Sequence, residues 1–191
     1  MPVPSIATLR ARYVHPVPWH GSRQVQVTSG FRTDSRPGHD GVDLLYPLWK
    51  SDGQITAPNT DGHGKWWHPD GKSALAITDG KVITSEVTST GGHVHVQHAD
   101  GVSSQYIHLA HRFKQVGDLV RMGQPVGIIG AGSTHLVHLH FQMRFDGHLV
   151  NPAIYLPYMR VIADPRERSG VVVALGAGAI GFGLITLLLR S

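Results

Sequence analysis

Two histidines separated by one apolar residue are the part of the sequence best suited to chemistry. Residues 137–141 read Val-His-Leu-His-Phe, an alternation of apolar and polar residues that is typical of a β-strand. Side chains two apart on a strand share one face and lie about 6.6 Å apart. One imidazole of His138 and His140 can therefore bind a metal while the other transfers protons. A chain with 14 histidines contains about one such pair by chance, and His93 and His95 form a second.

A second candidate lies earlier, where His39 and Asp43 frame the segment His-Asp-Gly-Val-Asp. This spacing places a nitrogen ligand and a carboxylate at the mouth of a predicted strand. With one more histidine they would supply three protein ligands and an open fourth position, the pattern of a catalytic zinc that activates water. The chain has 0 cysteines, which excludes thiolate ligands and disulfides and leaves His, Asp and Glu as ligands.

The elements that must position these residues are predicted to be short β-strands. The 23 glycines and 12 prolines indicate many turns, and alternating segments recur about every ten residues between turn signals such as Asp79-Gly80 and Asp100-Gly101. This pattern predicts a mostly β fold, a β-sandwich or barrel-like domain. Asn151-Pro152 is expected to cap a short helical turn.

The domain organisation follows from shifts in composition along the chain. We expect an N-terminal arm over residues 1–24, a folded domain over 25–158 and a linker over 159–169. Turn-rich residues 47–72 are predicted to be an inserted loop, in which Trp66 and Trp67 either line a substrate groove or pack onto the domain.

The C-terminal segment differs sharply from the rest. Residues 170–189 carry no charge and are long enough to cross a hydrocarbon core of about 30 Å, so they predict a single transmembrane helix. The alternative is a buried core helix, which rarely runs this long without polar residues. Small residues recur four apart, as in Ala174 and Gly178, and would permit helix self-association in the lipid bilayer.

The net charge of the chain and its distribution limit the kinds of binding partner that we expect. The net charge is +4 and the basic residues are scattered, so nucleic acid is not an expected partner, whereas an anionic cell envelope or membrane surface is compatible.

Seven motifs together resemble the lysostaphin-type peptidoglycan endopeptidases. In the order seen in that family they are residues 28–32, 38–44, 78–82, 106–109, 116–120, 123–127 and 138–141. The resemblance covers about residues 25 to 157 and implies a two-layer antiparallel β fold whose groove takes an extended peptide. It implies one Zn2+ bound by His39, Asp43 and His140, with His108 and His138 assisting catalysis.

Three departures from the family pattern are visible. Phe31-Arg32-Thr33-Asp34 stands where the family usually has Phe-Gly-x-Arg, and Ser133-Thr134-His135 replaces a Gly-rich segment. Gln142 stands where Glu is common. His93, His95 and His98 are reserve candidates for the site, although strand faces in a histidine-rich chain carry some histidines without function.

The function expected from these features is zinc-dependent hydrolysis of stem or cross-bridge peptides of bacterial peptidoglycan. The alternative is a non-catalytic cell-wall-binding or structural membrane protein with the same fold. Residues 1–7 lack the segments of a secretory signal, so we expect no cleavable export sequence. A C-terminal anchor preceded by Arg160, Arg166 and Arg168 then favours the virion membrane of a phage, with the bacterial cell envelope as the other location.

Overall fold

The β-strand dominates the computed structural model, which describes residues 4–18, 25–45, 48–49, 55–56, 72–131 and 137–168. The strands are β1 (Gln26–Ser29), β2 (Val42–Leu45), β3 (Leu48–Trp49), β4 (Ile55–Thr56), β5 (Ser73–Leu75), β6 (Gly80–Thr88), β7 (Gly91–His98), β8 (Val102–Arg112), β9 (Leu119–Val120), β10 (Pro125–Ile129), β11 (Leu139–Phe145) and β12 (His148–Val150). The helices are α1 (Ile6–Arg12), α2 (Pro165–Arg168) and two 3-10 turns, Pro152–Ile154 and Leu156–Tyr158.

Antiparallel pairing joins ten of these strands into one branched sheet. Its main order is β1-β2-β11-β8-β7-β6-β9, with β12 beside β11, β10 beside β8 and β5 beside β10. The long strand β8 is the branch point, because it pairs with β7, β11 and β10. Strands β3 and β4 pair only with each other within the described residues. The predicted mostly antiparallel β fold is confirmed.

Alternation along the strands separates the core from the opposite face of the sheet. On β11, Leu139, Phe141 and Met143 are buried in the core, so His140 points to the other side. Strand β7 repeats the pattern, since Val94 and Val96 are fully buried. The predicted histidine pair therefore stands on a face whose register is fixed by the apolar residues behind it.

Both ends of the described chain pack onto this domain. Ser5 caps α1 by accepting a hydrogen bond from the amide of Thr8, and the segment after α1 is hydrogen-bonded to residues 75 and 77. At the other end, Asp164 is fully buried and accepts hydrogen bonds from the backbone amide and the hydroxyl of Ser73, at 3.0 and 2.9 Å. Asp164, which lies in the predicted linker over 159–169, is thus attached to the domain.

Several predicted features fall outside the described residues. They are the transmembrane helix over 170–189, Trp66 and Trp67, and most of the inserted loop, of which the structure describes the backbone of β3 and β4. Within the described ranges, no helix combines the length and the apolar character needed to cross a bilayer.

Two buried histidines are held neutral by their surroundings. Burial lowers the pKa of His15 to about 4 although the Val17 carbonyl accepts its Nδ1 proton at 2.9 Å. Burial likewise lowers the pKa of His98 to about 4, against hydrogen bonds with the Asp79 and Thr78 backbone. The other nitrogen of His98 lies 2.7 Å from the Ser104 hydroxyl. His98, a reserve candidate for the site in the sequence analysis, therefore belongs to the polar interior of the fold.

Stability should fall when the pH drops through this range. Because the folded pKa values lie below the unfolded value of about 6.5, the unfolded chain binds more protons between pH 6.5 and 4. The free energy of unfolding should decrease over that window by about 3 kcal/mol for each such histidine. Urea unfolding at several pH values measures this dependence. His98→Gln should flatten it, whereas His148→Gln, at an exposed position, should leave it unchanged; an equal slope in all three proteins would contradict the assignment.

Candidate metal centre and active site

The pairing of β2 with β11 joins a carboxylate and an imidazole from distant parts of the sequence. Asp43 and His140 are direct cross-strand partners, and Val42 and Leu44 on either side of Asp43 are buried in the core. Opposite residues of an antiparallel pair have Cβ atoms about 5 Å apart. Both functional side chains therefore stand side by side on the face opposite the core.

His39 reaches the same place through the short loop that precedes β2. Gly41 lies between His39 and Asp43, and a Cβ atom there would lie 2.5 Å from the Phe141 carbonyl oxygen and 2.8 Å from His140 Nε2. Only glycine can pass this closely against β11. The glycine of the His-Asp-Gly-Val-Asp segment is thus a packing requirement of the site.

Three ligand atoms converge at the centre of the cluster. His39 Nε2 lies 3.0 Å from Asp43 Oδ1 and 3.0 Å from His140 Nδ1, and Asp43 Oδ1 lies 2.9 Å from His140 Nδ1. All three side chains are buried or nearly so. In a tetrahedral zinc site with ligand distances of about 2.1 Å, neighbouring ligand atoms are about 3.4 Å apart. Two nitrogens and one oxygen at nearly this spacing fit one Zn2+ with an open fourth position.

Outer hydrogen bonds turn two of these ligands toward the centre. His39 donates its Nδ1 proton to the Gly30 carbonyl at 2.7 Å, which leaves Nε2 unprotonated and able to bind a metal. Arg36 Nη1 donates to Asp43 Oδ2 at 3.0 Å, so Oδ1 remains directed at the centre. Partners of this kind fix ligand orientation and strengthen metal binding.

The third ligand is oriented by a neighbour on its own strand. The amide group of Gln142 lies 3.1 Å from His140 Nε2. A ring that binds a metal through Nδ1 carries its proton on Nε2, so the metal-bound form needs the amide oxygen at this position. Half a turn of the Gln142 amide provides it, because the two ends of the amide have nearly the same shape.

Two further imidazoles border the ligand cluster. The His108 ring lies 4.7 Å from the His138 ring and 5.8 Å from the His140 ring, measured between centroids. His138 Nε2 lies 3.6 Å from Asp43 Oδ1. Two groups able to transfer protons therefore stand beside the place where a metal would bind.

The backbone of His108 is held in an unfavourable conformation. Its φ of 67° is in the left-handed region, which non-glycine residues rarely adopt. The Thr90 carbonyl accepts the Nδ1 proton of His108 at 2.7 Å, and the Gly130 amide donates to the His108 carbonyl at 2.8 Å. These bonds aim Nε2 of His108 away from Thr90, and strain maintained in this way is typical of functional positions.

The electrostatics of the cluster favour an ionised Asp43. Burial alone would raise the pKa of Asp43, but the hydrogen bond with His140, the charges of His138 and His39, and the Arg36 hydrogen bond together bring it well below its usual range. The pKa of His108 is lowered, chiefly by burial and by the neighbouring imidazoles. The structure thus keeps the Asp43 carboxylate ionised, the form in which a carboxylate binds a metal, and favours the neutral form of the His108 ring.

The structure brings together the five residues singled out from the sequence, His39, Asp43, His108, His138 and His140. Sequence reasoning missed Arg36, which lies in a loop without a recognisable spacing. It also missed the carbonyls of Gly30 and Thr90, since backbone acceptors carry no side-chain signal.

The reserve histidines lie elsewhere. His98 faces the interior, whereas His93 and His95 stand on the site face of β7, beyond the ligand cluster. His93 Nε2 lies 3.1 Å from Gln105 Oε1 and its Nδ1 lies 3.4 Å from Glu86. None of the three belongs to the group of ligand atoms found among the described residues.

Comparison with known proteins gives relatives of this chain. Lipoprotein NlpD of Yersinia enterocolitica is 31% identical over 90 residues, which are 46% of this chain and 92% of that sequence. Murein hydrolase activator NlpD of Escherichia coli (strain K12) is 30% identical over 46% of this chain and 24% of its own length. DD-carboxypeptidase/endopeptidase Mpg of Neisseria meningitidis is 38% identical over 47% of this chain and 21% of its own length. The chain therefore spans less than a quarter of the latter two.

Solved structures share the fold. A zinc-containing peptidase from Vibrio cholerae superposes with a TM-score of 0.53 at 24% identity, over 76% of this chain and 40% of that one. Lysostaphin from Staphylococcus simulans superposes with a TM-score of 0.54 at 20% identity. The superposition covers 87% of this chain and 60% of lysostaphin.

The family model of Peptidase family M23 matches residues 65–152, which include His108, His138 and His140. His39 and Asp43 precede the matched range and reach the site through the pairing of β2 with β11. The NlpD lipoprotein of Yersinia enterocolitica, at 31% identity, is matched over 92% of its own length. The chain belongs to peptidase family M23.

Proposed function

We propose that the chain is a zinc-dependent endopeptidase that hydrolyses peptide cross-links of bacterial peptidoglycan. The observation that carries the proposal is the convergence of His39, Asp43 and His140 at 2.9–3.0 Å, bordered by two further imidazoles. Membership of family M23 and a relative described as DD-carboxypeptidase/endopeptidase support the substrate class.

The metal and the protein have separate tasks in this proposal. A zinc ion held by the three ligands supplies a Lewis acid that activates water and polarises the peptide carbonyl. The chain's own contribution begins with Arg36 and Gly30, which keep two ligands oriented by hydrogen bonds to Asp43 and His39. The buried ligand set keeps bulk water away and strengthens these interactions.

Proton transfer falls to His108 and His138. Because Nδ1 of His108 is bonded to the Thr90 carbonyl, its Nε2 accepts a proton from the attacking water. The proton then passes to the amine that leaves when the C–N bond breaks, so that one water is consumed and one carboxylate and one amine are formed. His138, 3.6 Å from Asp43, stabilises the negative charge that develops on the former carbonyl oxygen.

A second candidate function is activation of another wall hydrolase without catalysis. The E. coli relative, a murein hydrolase activator, favours it. In that case the domain binds wall peptides or a partner enzyme through the face of the sheet that carries the ligand cluster. Zinc binding without any cleavage of peptidoglycan would select this function over the first.

The proposal also places the domain at a membrane through residues 170–189. Support comes from the sequence, because these twenty residues carry no charge and are long enough to cross a bilayer. Its two versions are the virion membrane of a phage and the bacterial cell envelope, and the lipoprotein relative of Yersinia favours an envelope location.

Removing one ligand tests the enzyme. Asp43→Ala should lower zinc stoichiometry from one per chain and reduce release of fragments from purified peptidoglycan more than about 100-fold, since changes even outside the ligand set cost 10–100-fold. Zinc is measured by atomic absorption and fragments by liquid chromatography. The control is Asp34→Ala, which removes an exposed carboxylate of the neighbouring loop. This variant should keep both the zinc stoichiometry and the release of fragments. Full activity in Asp43→Ala would exclude the proposed metal centre.

The proton-transfer residues have a different signature. His108→Ala and His138→Ala should keep zinc but lose about 10²–10⁴-fold in turnover, the usual contribution of a general acid or base. Turnover on a synthetic cross-linked peptide, with zinc content measured on the same sample, gives the result. The control is His111→Ala. His111 is exposed on β8, the strand that carries His108, and this variant should keep both turnover and zinc content. Unchanged turnover in the first two variants would remove them from the mechanism.

The membrane anchor has its own test. The full chain, residues 1–191, should stay in the membrane fraction after washing at high pH, because twenty apolar residues insert irreversibly into lipid. A chain ending at residue 168 should appear in the supernatant. Release of the full chain by the same wash would disprove the anchor.

A further inference from the structure

The face of the sheet that carries the metal centre continues along β11 as a row of polar residues. His140, Gln142 and Arg144 alternate with the core residues of β11 and so point to the same side. Gln142 lies opposite Gln105 of β8, which lies opposite His95 of β7. Arg144, His95 and their neighbours therefore form a polar floor next to the ligand cluster.

Two nitrogens of this floor lack hydrogen bonds. His95 Nε2 and Arg144 Nη1 are buried and have no hydrogen-bond partner among the described residues. Nearly all buried polar atoms in folded proteins have one, and a buried nitrogen without a partner needs a specific explanation. The acceptor nearest in register is Gln105 Oε1, which already lies 3.1 Å from His93 Nε2.

The charge of the floor favours an anion. Burial, followed by the charges of His93, Arg144 and His98, lowers the pKa of His95 to about 4. Arg144 has no ion pair within the described part of the chain. On this face Glu86 already faces His93 at 3.4 Å, and Asp43 is held by the ligand cluster and by Arg36. An approaching carboxylate would therefore meet the positive charge of Arg144 and two nitrogens that have no partner among the described residues.

The position along the strand relates this floor to the chemistry. Arg144 lies four residues beyond His140 on β11, a distance of about 13 Å at 3.3 Å per residue. An extended peptide covers the same distance in about four residues. A peptide lying along the sheet with its reacting carbonyl at the metal centre could thus place a carboxylate over Arg144.

We propose that Arg144 and His95 form a subsite that binds a carboxylate of the peptide substrate about four residues from the bond that is cut. This inference rests on the proposed peptidase function. Arg144 donates through its planar fork, and His95 donates from Nε2 in the matching tautomer. The subsite selects peptides with a free acid over peptides in which that acid is an amide or is cross-linked.

The test compares matched peptides on the zinc-loaded full chain. Each synthetic peptide contains the bond that the wild type cuts and one carboxylate placed two to five residues from it, and its partner has a carboxamide at the same place. The wild type should prefer the carboxylate at one position by about tenfold or more in kcat/KM, mainly through KM, as expected for hydrogen bonds to a charged group.

The variants assign that preference to residues. Arg144→Gln should bring the ratio between the two peptides close to one, and Arg144→Lys should recover part of it because the charge remains without the fork. His95→Gln should reduce the ratio partly. Arg121→Gln, at an exposed position, is the control and should keep the full ratio.

Two outcomes would overturn the subsite: absence of any carboxylate preference in the wild type, or an unchanged preference in Arg144→Gln. If the wild type with bound zinc cuts none of the peptides, the peptidase function fails, and calorimetric titration of the same peptide pairs then decides about the subsite. A carboxylate preference in binding that Arg144→Gln removes would support the subsite without catalysis. Equal binding of each pair would reject it.

Discussion

The antiparallel register between β2 and β11 is the constraint on which the site depends. It places Asp43 opposite His140 while Val42 and Leu44 enter the core opposite Phe141 and Leu139. A slip of one residue would turn Asp43 into the core and an apolar side chain toward the imidazoles. The hydrophobic side of the sheet therefore sets the geometry of the polar side, and the large buried rings of Tyr106 and Phe141 help to fix both.

Loop residues supply the part of the site that the strands do not. The ligand His39 comes from a loop that can approach β11 only at Gly41, and its tautomer is set by the Gly30 carbonyl. The strained backbone of His108 is held by bonds from Thr90 and Gly130. A rigid sheet with oriented loop residues is an arrangement in which side chains keep the positions that metal binding requires.

The sequence predicted the strands and the chemically active side chains better than the contacts that hold them. Alternation located β7 and β11 because one face of each is apolar. The ligand assignment to His140 instead of His138 came from the family resemblance, since both histidines share a face. Arg36 and the carbonyl of Thr90 could not be predicted, because a loop arginine and a backbone oxygen have no periodic pattern. The contact of Asp164 could not be predicted for a similar reason: a single buried carboxylate bonded to Ser73 leaves no composition signal.

A purely structural role does not account for the cluster around Asp43. Bringing a carboxylate and several imidazoles out of water costs several kcal/mol per charge, and apolar side chains of similar volume usually stabilise a fold at least as well. The cluster instead aims imidazole nitrogens at one ionised oxygen, with the second nitrogens of His39 and His108 already hydrogen-bonded. A cation needs this arrangement, because the free nitrogens supply lone pairs.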